Sequence, residues 1–395
     1  MTPNSGAGII APTPGDSEGD SGHVATRMLV NVLLQFHQEV HIFTRATAVF
    51  DFDNKRVHIH QYTKPYSQSA WYFRLLGQLF YQIKFAIGIF RVSNSLDLVI
   101  FGGGGFPIPS ITAQIFRIHF IHRIGGVTYK EVPEESYRHL IWLRFLKSSR
   151  RLQYFLADTI VVLSPSLIEF ADIGRFKSKC IVFNHYYFNL DIFSNSTKYA
   201  ERRAVFGHIG ASRTKGTMKL LEAFTKSGLS EEYQLVILGD GPQLQEAKTF
   251  AKDQKINIAF TGYLNRSELP DYYNNMKLFV NCSESEGVPK AMFEAMACGT
   301  PVAATPVGGI PDYIENGENG FILSTNSPEQ LAKELLEIAE HTELETVANE
   351  AQTYVLENFS YQSTVDSYYK LITEETQIPI SPPSDDLTEP LPRHD

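Results

Sequence analysis

Glu286-Gly-Val-Pro-Lys-Ala-Met-Phe-Glu294 sets two carboxylates eight positions apart across a loop that turns into a helix. Pro289 suits the first helical position, and Gly299 suits the position just past the last turn. Glu286 therefore precedes the helix and Glu294 lies on it, with the backbone N–H groups of Gly287 and Val288 between them. A helix start with exposed amides attracts anions, and carboxylates beside it accept hydrogen bonds from hydroxyls. An anion carried together with hydroxyls describes a nucleotide-sugar.

Outward from this stretch, apolar strand-like runs alternate with helical patterns along the whole chain. This alternation predicts an α/β protein with parallel sheets. Strands are expected at 204–209, 235–238, 258–261, 278–281, 301–304 and 320–323 in the second half. The first half offers strands at 8–12, 39–44, 96–101, 159–164 and 180–184, with a helix from about Gly22 to Phe36. Ser194–Arg203 is polar and weakly patterned and reads as a linker. Two doubly wound domains facing a central cleft follow, because ligands bind outside the carboxyl ends of parallel strands.

With 395 residues the chain is long enough for two domains. A net charge of −9 argues against nucleic acid as a partner, since loose binding to it runs on a positive field. Three widely spaced cysteines, Cys180, Cys282 and Cys298, read as free thiols of a reducing compartment. Neither a signal peptide nor an uninterrupted apolar run long enough to span a bilayer is evident. The expected location is cytoplasmic, with peripheral contact on the inner membrane face left open.

Seven ordered motifs carry a resemblance. They are Gly210 to Gly216 (ending Lys-Gly), Leu238-Gly-Asp-Gly-Pro242, Phe260-Thr-Gly-Tyr263, Ser283-Glu-Ser-Glu286-Gly, Glu294-Ala-Met-Ala-Cys-Gly299-Thr-Pro301, Gly308-Gly-Ile-Pro311 and Gly317-Glu-Asn-Gly320. Across roughly residues 155 to 325 the chain resembles a retaining glycosyltransferase of family 4, with a GT-B fold. The resemblance implies an acceptor-binding domain at 1–193 and a nucleotide-sugar-binding domain at 194–358. A helix at 359–375 would pack back on the N-terminal domain, and 376–395 would be a disordered tail. It also implies that Glu294 holds the ribose hydroxyls, Glu286 the donor sugar, and the amides of Gly287 and Val288 the diphosphate. Lys215 would stabilise charge on the leaving group, and Gly262 lies where backbone contacts would read the base.

Departures from the family pattern bear on the rest. Ala211 and Ser212 stand where relatives often carry arginine; Arg213 either takes over the phosphate oxygens or points to solvent. Asp240 reads as the cap of the following helix. In the first half, Gly22 opens a helix whose amide would approach diphosphate or acceptor, or merely makes a turn. Where many relatives carry an acceptor-side histidine the chain has Lys130 and Glu131, and Glu131 is the candidate to orient the acceptor hydroxyl. His119 and His122, upstream, are read as packing residues on a helix. Asp51-Phe-Asp53 spells a D-x-D metal signature but reads as a strand-edge turn, so neither metal nor cofactor is expected beyond the nucleotide-sugar co-substrate. Phe106-Pro-Ile-Pro109 is read as breaking the helix that a dinucleotide loop at Gly102–Gly105 would require.

Two basic, aromatic segments, Trp71 to Arg91 and Arg138 to Arg151, are compatible with a membrane surface or with core-facing helices. The functional expectation is transfer of a sugar to a glycan or lipid-linked acceptor. Its rival is a catalytically inactive partner subunit that keeps the fold.

Overall fold

The computed structural model describes residues 6–11, 21–45, 52, 54–63, 71–102, 106–125, 137–183, 186–324, 327–376 and 378–383. They fall into two compact units, one drawn from Met1–Tyr186 and Thr364–Arg393, the other from Tyr187–Ser363.

The first unit runs β1 (Gly6–Ala11), α1 (Ser21–Phe36), β2 (Glu39–Arg45), β3 (Val57–Tyr62), α2 (Trp71–Val92), β4 (Leu96–Gly102) and α3 (Pro107–Ile115). It continues through β5 (His119–Ile124), α4 (Tyr137–Leu156), β6 (Thr159–Val162), α5 (Ser166–Phe170) and β7 (Cys180–Val182). Its seven strands form a parallel sheet in the order β3-β2-β1-β4-β5-β6-β7. The central strand β4 is apolar on both faces, with Leu98, Val99 and Phe101 almost wholly buried, as a sheet sandwiched between helices requires. The chain steps outward from β1 to β3, then returns through α2 to β4 and continues the other way. Right-handed crossovers therefore place α2, α3 and α4 together on one face and α1 on the opposite face.

The second unit contains β8 (Val205–Ile209), α6 (Thr217–Lys226), β9 (Gln234–Leu238), α7 (Leu244–Gln254), β10 (Ile258–Gly262), α8 (Leu269–Tyr273) and β11 (Leu278–Asn281). Then come α9 (Lys290–Ala297), β12 (Val302–Ala304), β13 (Phe321–Ile322), α10 (Pro328–Ala339) and α11 (Leu344–Asn358). The six strands are parallel in the order β10-β9-β8-β11-β12-β13. The last helix, α12 (Tyr361–Glu375), starts in this unit and ends in the first. There Tyr368 lies fully buried, its ring 5.3 Å from Phe36 and its hydroxyl 3.0 Å from His37 Nε2.

Several sequence readings need correction. His119 and His122 stand on β5, not on a helix. His122 is buried between Phe120 and Tyr154, and that burial, helped by Arg150 and Arg123, pulls its pKa down to about 3. Pro107 and Pro109 open α3 instead of breaking a helix, because the first helical turn has no use for their missing N–H groups. Residues 194–203 are part of the second unit: buried Arg202 donates to Thr300 Oγ1 (2.8 Å), to the carbonyl of Cys298 (2.7 Å) and to Asn195 Oδ1 (3.0 Å). Residues 103–105, 377 and 384–395, like Asp51 and Asp53, lie outside the described residues.

Candidate functional site

Strand order in the second sheet reverses between β8 and β11. The loops leaving their carboxyl ends, 210–216 and 282–289, are where a ligand of this fold sits. Three neighbouring strands end in glycines with left-handed backbone: Gly210 after β8 (φ +85°), Gly239 after β9 (+81°) and Gly262 ending β10 (+70°). Each turns the chain sharply at the same edge, at a conformation costly for residues with a Cβ.

The two switch-point loops are tied together. The Glu284 amide donates to the Thr214 carbonyl at 2.8 Å, and Lys219 Nζ lies 3.3 Å from Glu284 Oε1. Gly216 (φ +72°) packs so closely that a Cβ there would stand 2.2 Å from the Cys282 carbonyl oxygen. Beneath the first loop, buried His208 places Nδ1 2.9 Å from the Val280 carbonyl and Nε2 3.2 Å from Thr217 Oγ1. Burial holds the His208 pKa down to about 4, so the ring is neutral. With Nδ1–H donating to Val280, Nε2 is an acceptor facing Thr217, whose single hydroxyl proton serves either it or the Gly210 carbonyl at 3.0 Å. Thr217 Oγ1 then accepts from the Ser212 amide at 3.2 Å, which fixes the start of the loop.

At the junction Lys215 Nζ sits 2.6 Å from Glu286 Oε1. Glu286 is 12% exposed and Lys215 34%, so the pair is half sheltered yet open to a ligand. Ser283 Oγ lies 2.8 Å from Glu286 Oε1 and 2.6 Å from Asn281 Oδ1; its single proton serves one acceptor at a time. Behind Glu286, Gly308 (φ +61°) leaves no room for a Cβ, which would fall 2.0 Å from the Glu286 carbonyl oxygen. The Gly309 amide donates to Gly287 at 2.7 Å, bracing the loop from that side. Among the described residues, the amides of Ser285, Glu286, Gly287 and Val288 have no acceptor. Unpaired N–H groups at the start of a helix are donors that an anion can take up.

Pro289 is the N-cap of α9, not its first helical residue, with extended backbone (ψ 116°). Gly299 lies just past the helix at φ +68°. Glu294, one turn in, is 5% exposed and receives a hydrogen bond from Arg266 Nε at 3.1 Å on Oε1. No hydrogen bond to Glu294 Oε2 exists among the described residues. Arg266 also stacks 5.0 Å over Phe193, and its buried Nη2 has no partner among the described residues. Burial and the Glu294 charge push the adjacent Tyr273 hydroxyl well above its ordinary pKa. Arg266 is absent from the sequence reading; its only local signal is the capping box Asn265-Arg-Ser-Glu268, which says nothing of a partner 28 positions on.

The remaining candidates separate. Arg213 is exposed and its guanidinium makes no hydrogen bond or ion pair among the described residues. Asp240 does not cap α7, whose N-cap is Gln243; its Oδ1 accepts from the Gly241 amide at 2.6 Å. Gly22 lies in the first turn of α1, and Glu131 and Lys130 fall outside the described residues. Cys282 and Cys298 are buried thiols held up at about 12, so neither is a nucleophile. In the first unit Glu39, His41 and His58 bring ligand atoms within 4.8 Å of one another. His41 Nε2 lies 3.4 Å from Glu39 and its Nδ1 3.0 Å from His60 Nε2, and burial lowers the His41 pKa, so the cluster reads as a packed row of histidines between β2 and β3. A hollow of about 670 Å³ lined by Gln114, His119, Asp158 and Lys179 opens at the amino ends of β5 and β6, the wrong end of the sheet for a ligand site.

Residues 191–353 match the model of the family described as glycosyl transferases group 1. The match lies within the second unit, and the chain has the GT-B fold. Among curated relatives, N-acetyl-alpha-D-glucosaminyl L-malate synthase of Bacillus anthracis is 27% identical over 188 residues, 46% of this chain and 49% of that protein. The chain thus spans about half or less of the length of the first curated relatives it matches. Among solved structures, sucrose-phosphate synthase from Thermosynechococcus elongatus aligns with a TM-score of 0.72 at 17% identity, over 94% of this chain and 98% of that one. Anabaena HepE in complex with UDP and glucose aligns with a TM-score of 0.72 at 17% identity, over 94% and 100%.

Proposed function

We propose that the chain is a retaining glycosyltransferase that moves a sugar from a nucleotide-sugar to a glycan or lipid-linked acceptor in polysaccharide or glycolipid assembly. The observation that carries this reading is the 2.6 Å Lys215–Glu286 pair beside four unpaired amides at the strand-order reversal. Those amides supply a diphosphate cradle. Lys215 turns from Glu286 to a phosphate oxygen as the donor enters, which frees Glu286 to accept hydrogen bonds from the sugar hydroxyls. Glu294 offers Oε2 to the ribose while Arg266 keeps its other oxygen paired. The bond from the anomeric carbon to the diphosphate then breaks, with its electrons leaving on phosphate oxygen near Lys215. An acceptor oxygen bonds to the anomeric carbon on the same face, and its proton passes to the departing phosphate.

A neighbouring fold holding UDP and glucose supports a nucleotide-sugar as co-substrate, and the match of residues 191–353 to the group 1 glycosyl transferase model supports the reaction class. Calorimetric titration with uridine, guanosine and adenosine diphosphates tests the reading. One of them binds, and Glu294→Ala weakens it; if none binds, the proposal fails. Slow release of free sugar from a nucleotide-sugar, abolished in Glu286→Ala, distinguishes an enzyme from an inactive partner subunit.

A further inference from the structure

On α2, Leu76, Phe80, Ile83, Ile87 and Phe90 recur at steps of four and three, so they share one face. All five are exposed, Phe80 and Phe90 at 57% each. The opposite face, with Tyr81, Phe85 and Ile89, is buried against the sheet. A helix that is apolar all round belongs in an interior, yet the described chain covers only one side of α2. The apolar row continues sideways: Phe90 packs 5.4 Å from Phe116 at the end of α3, and Ile115 and Phe155 at the ends of α3 and α4 are 68% and 69% exposed. Single exposed apolar residues are ordinary; a continuous field across three helices marks an interaction surface.

Charge says what kind. The three helices hold eight Lys or Arg and no Asp or Glu, in a chain whose net charge is −9. Lys84, Arg91, Arg144 and Arg151 are exposed among or beside the apolar residues. Acids stand only at its border among the described residues: Asp172 lies 4.0 Å from Arg151, and Asp158 and Glu375 line the hollow beside Phe155. A broad apolar row flanked by cations, on three adjacent helices without an acid of their own, matches the wide, flat and negative face of an anionic bilayer. We propose that the α2–α3–α4 face of the first unit docks on an anionic lipid surface, with the apolar row entering the headgroup boundary and the cations meeting lipid phosphates. No described helix is long and apolar enough to cross a membrane, so the contact lies on the surface.

The inference does not rest on sugar transfer, and its test uses neither donor nor acceptor. The full chain is floated with phosphatidylcholine vesicles, with and without phosphatidylglycerol, at low and high salt. Binding is expected only with phosphatidylglycerol and is weakened by salt. Phe80→Ser with Phe90→Ser lowers partitioning at least about tenfold, and Lys84→Ala with Arg144→Ala lowers it roughly 25-fold. Circular dichroism melting curves matching the parent chain show that these variants fold. Absence of binding to anionic vesicles overturns the proposal, as does binding that neither pair of substitutions changes. A concentration-dependent dimer in sedimentation, abolished by the phenylalanine changes while vesicles bind nothing, overturns it in favour of a second copy.

Discussion

Lys215 and Glu286 are 71 positions apart, and their direct contact decides what each can do alone. Removing one leaves the other half-sheltered without its counter-charge, so the two substitutions are not independent. Lys215→Ala is expected to lower kcat by about 10²-fold to 10³-fold, the scale for losing one charge-stabilising group. Glu286→Gln should cost a similar factor, and the double variant little more than the worse single one. Steady-state kinetics of the four proteins checks this; strictly multiplicative losses would show that the pair acts as two separate groups. Arg266 and Glu294 behave differently, because Glu294 is nearly buried and loses its only identified counter-charge in Arg266→Ala. Breaking such a pair costs about 3 kcal/mol, and nucleotide affinity should fall with it. Denaturant melts with calorimetry check both, and an unchanged affinity would separate Arg266 from the binding site. Glu286 and Glu294 were legible in the sequence because a loop, a proline and a glycine frame them locally. Lys215 was legible too, in its own Gly210–Gly216 motif, but its contact with Glu286 was not; Arg266 went unread, because it precedes α8 and reaches Glu294 through the packing of α8 on α9.

Elements were read well where their signals are local. Strands β8 to β12 end in glycines or turn residues that the sequence displays, and observed ends lie within a residue or so of the reading. The strand β3, Val-His-Ile-His-Gln-Tyr, escaped notice because its histidines interrupt the apolar pattern; they stack on His41 and Phe43 of β2 instead of forming an apolar run. Residues 194–203 look like a linker for the opposite reason, being polar while held by hydrogen bonds rather than apolar contact. Arg202 makes that difference, and it also meets the carbonyl end of α9, where positive charge is favoured. Arg202→Ala should destabilise the second unit by about 3 kcal/mol or more, since several buried acceptors lose a charged donor. Arg202→Lys should recover only part, because an ammonium cannot span the same fork. Urea unfolding resolves the two; equal stability of all three proteins would reduce the segment to a tether.

Across the whole molecule, buried histidines make folding depend on pH in both units. In the first, burial and then Arg56 lower the pKa of His37, beside Tyr368, to about 4; in the second, burial does the same for His208. Unfolded, each would titrate near 6.5, so below that value the unfolded chain binds protons that the folded chain refuses. Stability is therefore complete above pH 6.5 and is lost as pH falls toward 4, where the folded rings at last protonate. His208→Gln keeps a donor and an acceptor in place but removes the titration. Between pH 7 and pH 5 the parent chain should lose about 2 kcal/mol more than this variant. This difference belongs to the second unit alone, because His37 and His122 weaken the first unit equally in both proteins. Denaturant unfolding at the two pH values, followed separately through the chain's two tryptophans, Trp71 and Trp142, both in the first unit, and through nucleotide binding by the second, measures it. A parent and a variant that weaken in parallel would mean that the ring beneath the Lys215 loop is hydrated or protonated in the native protein. In that case the loop would not be held by a neutral histidine, and its geometry at pH 5 and pH 7 would have to differ.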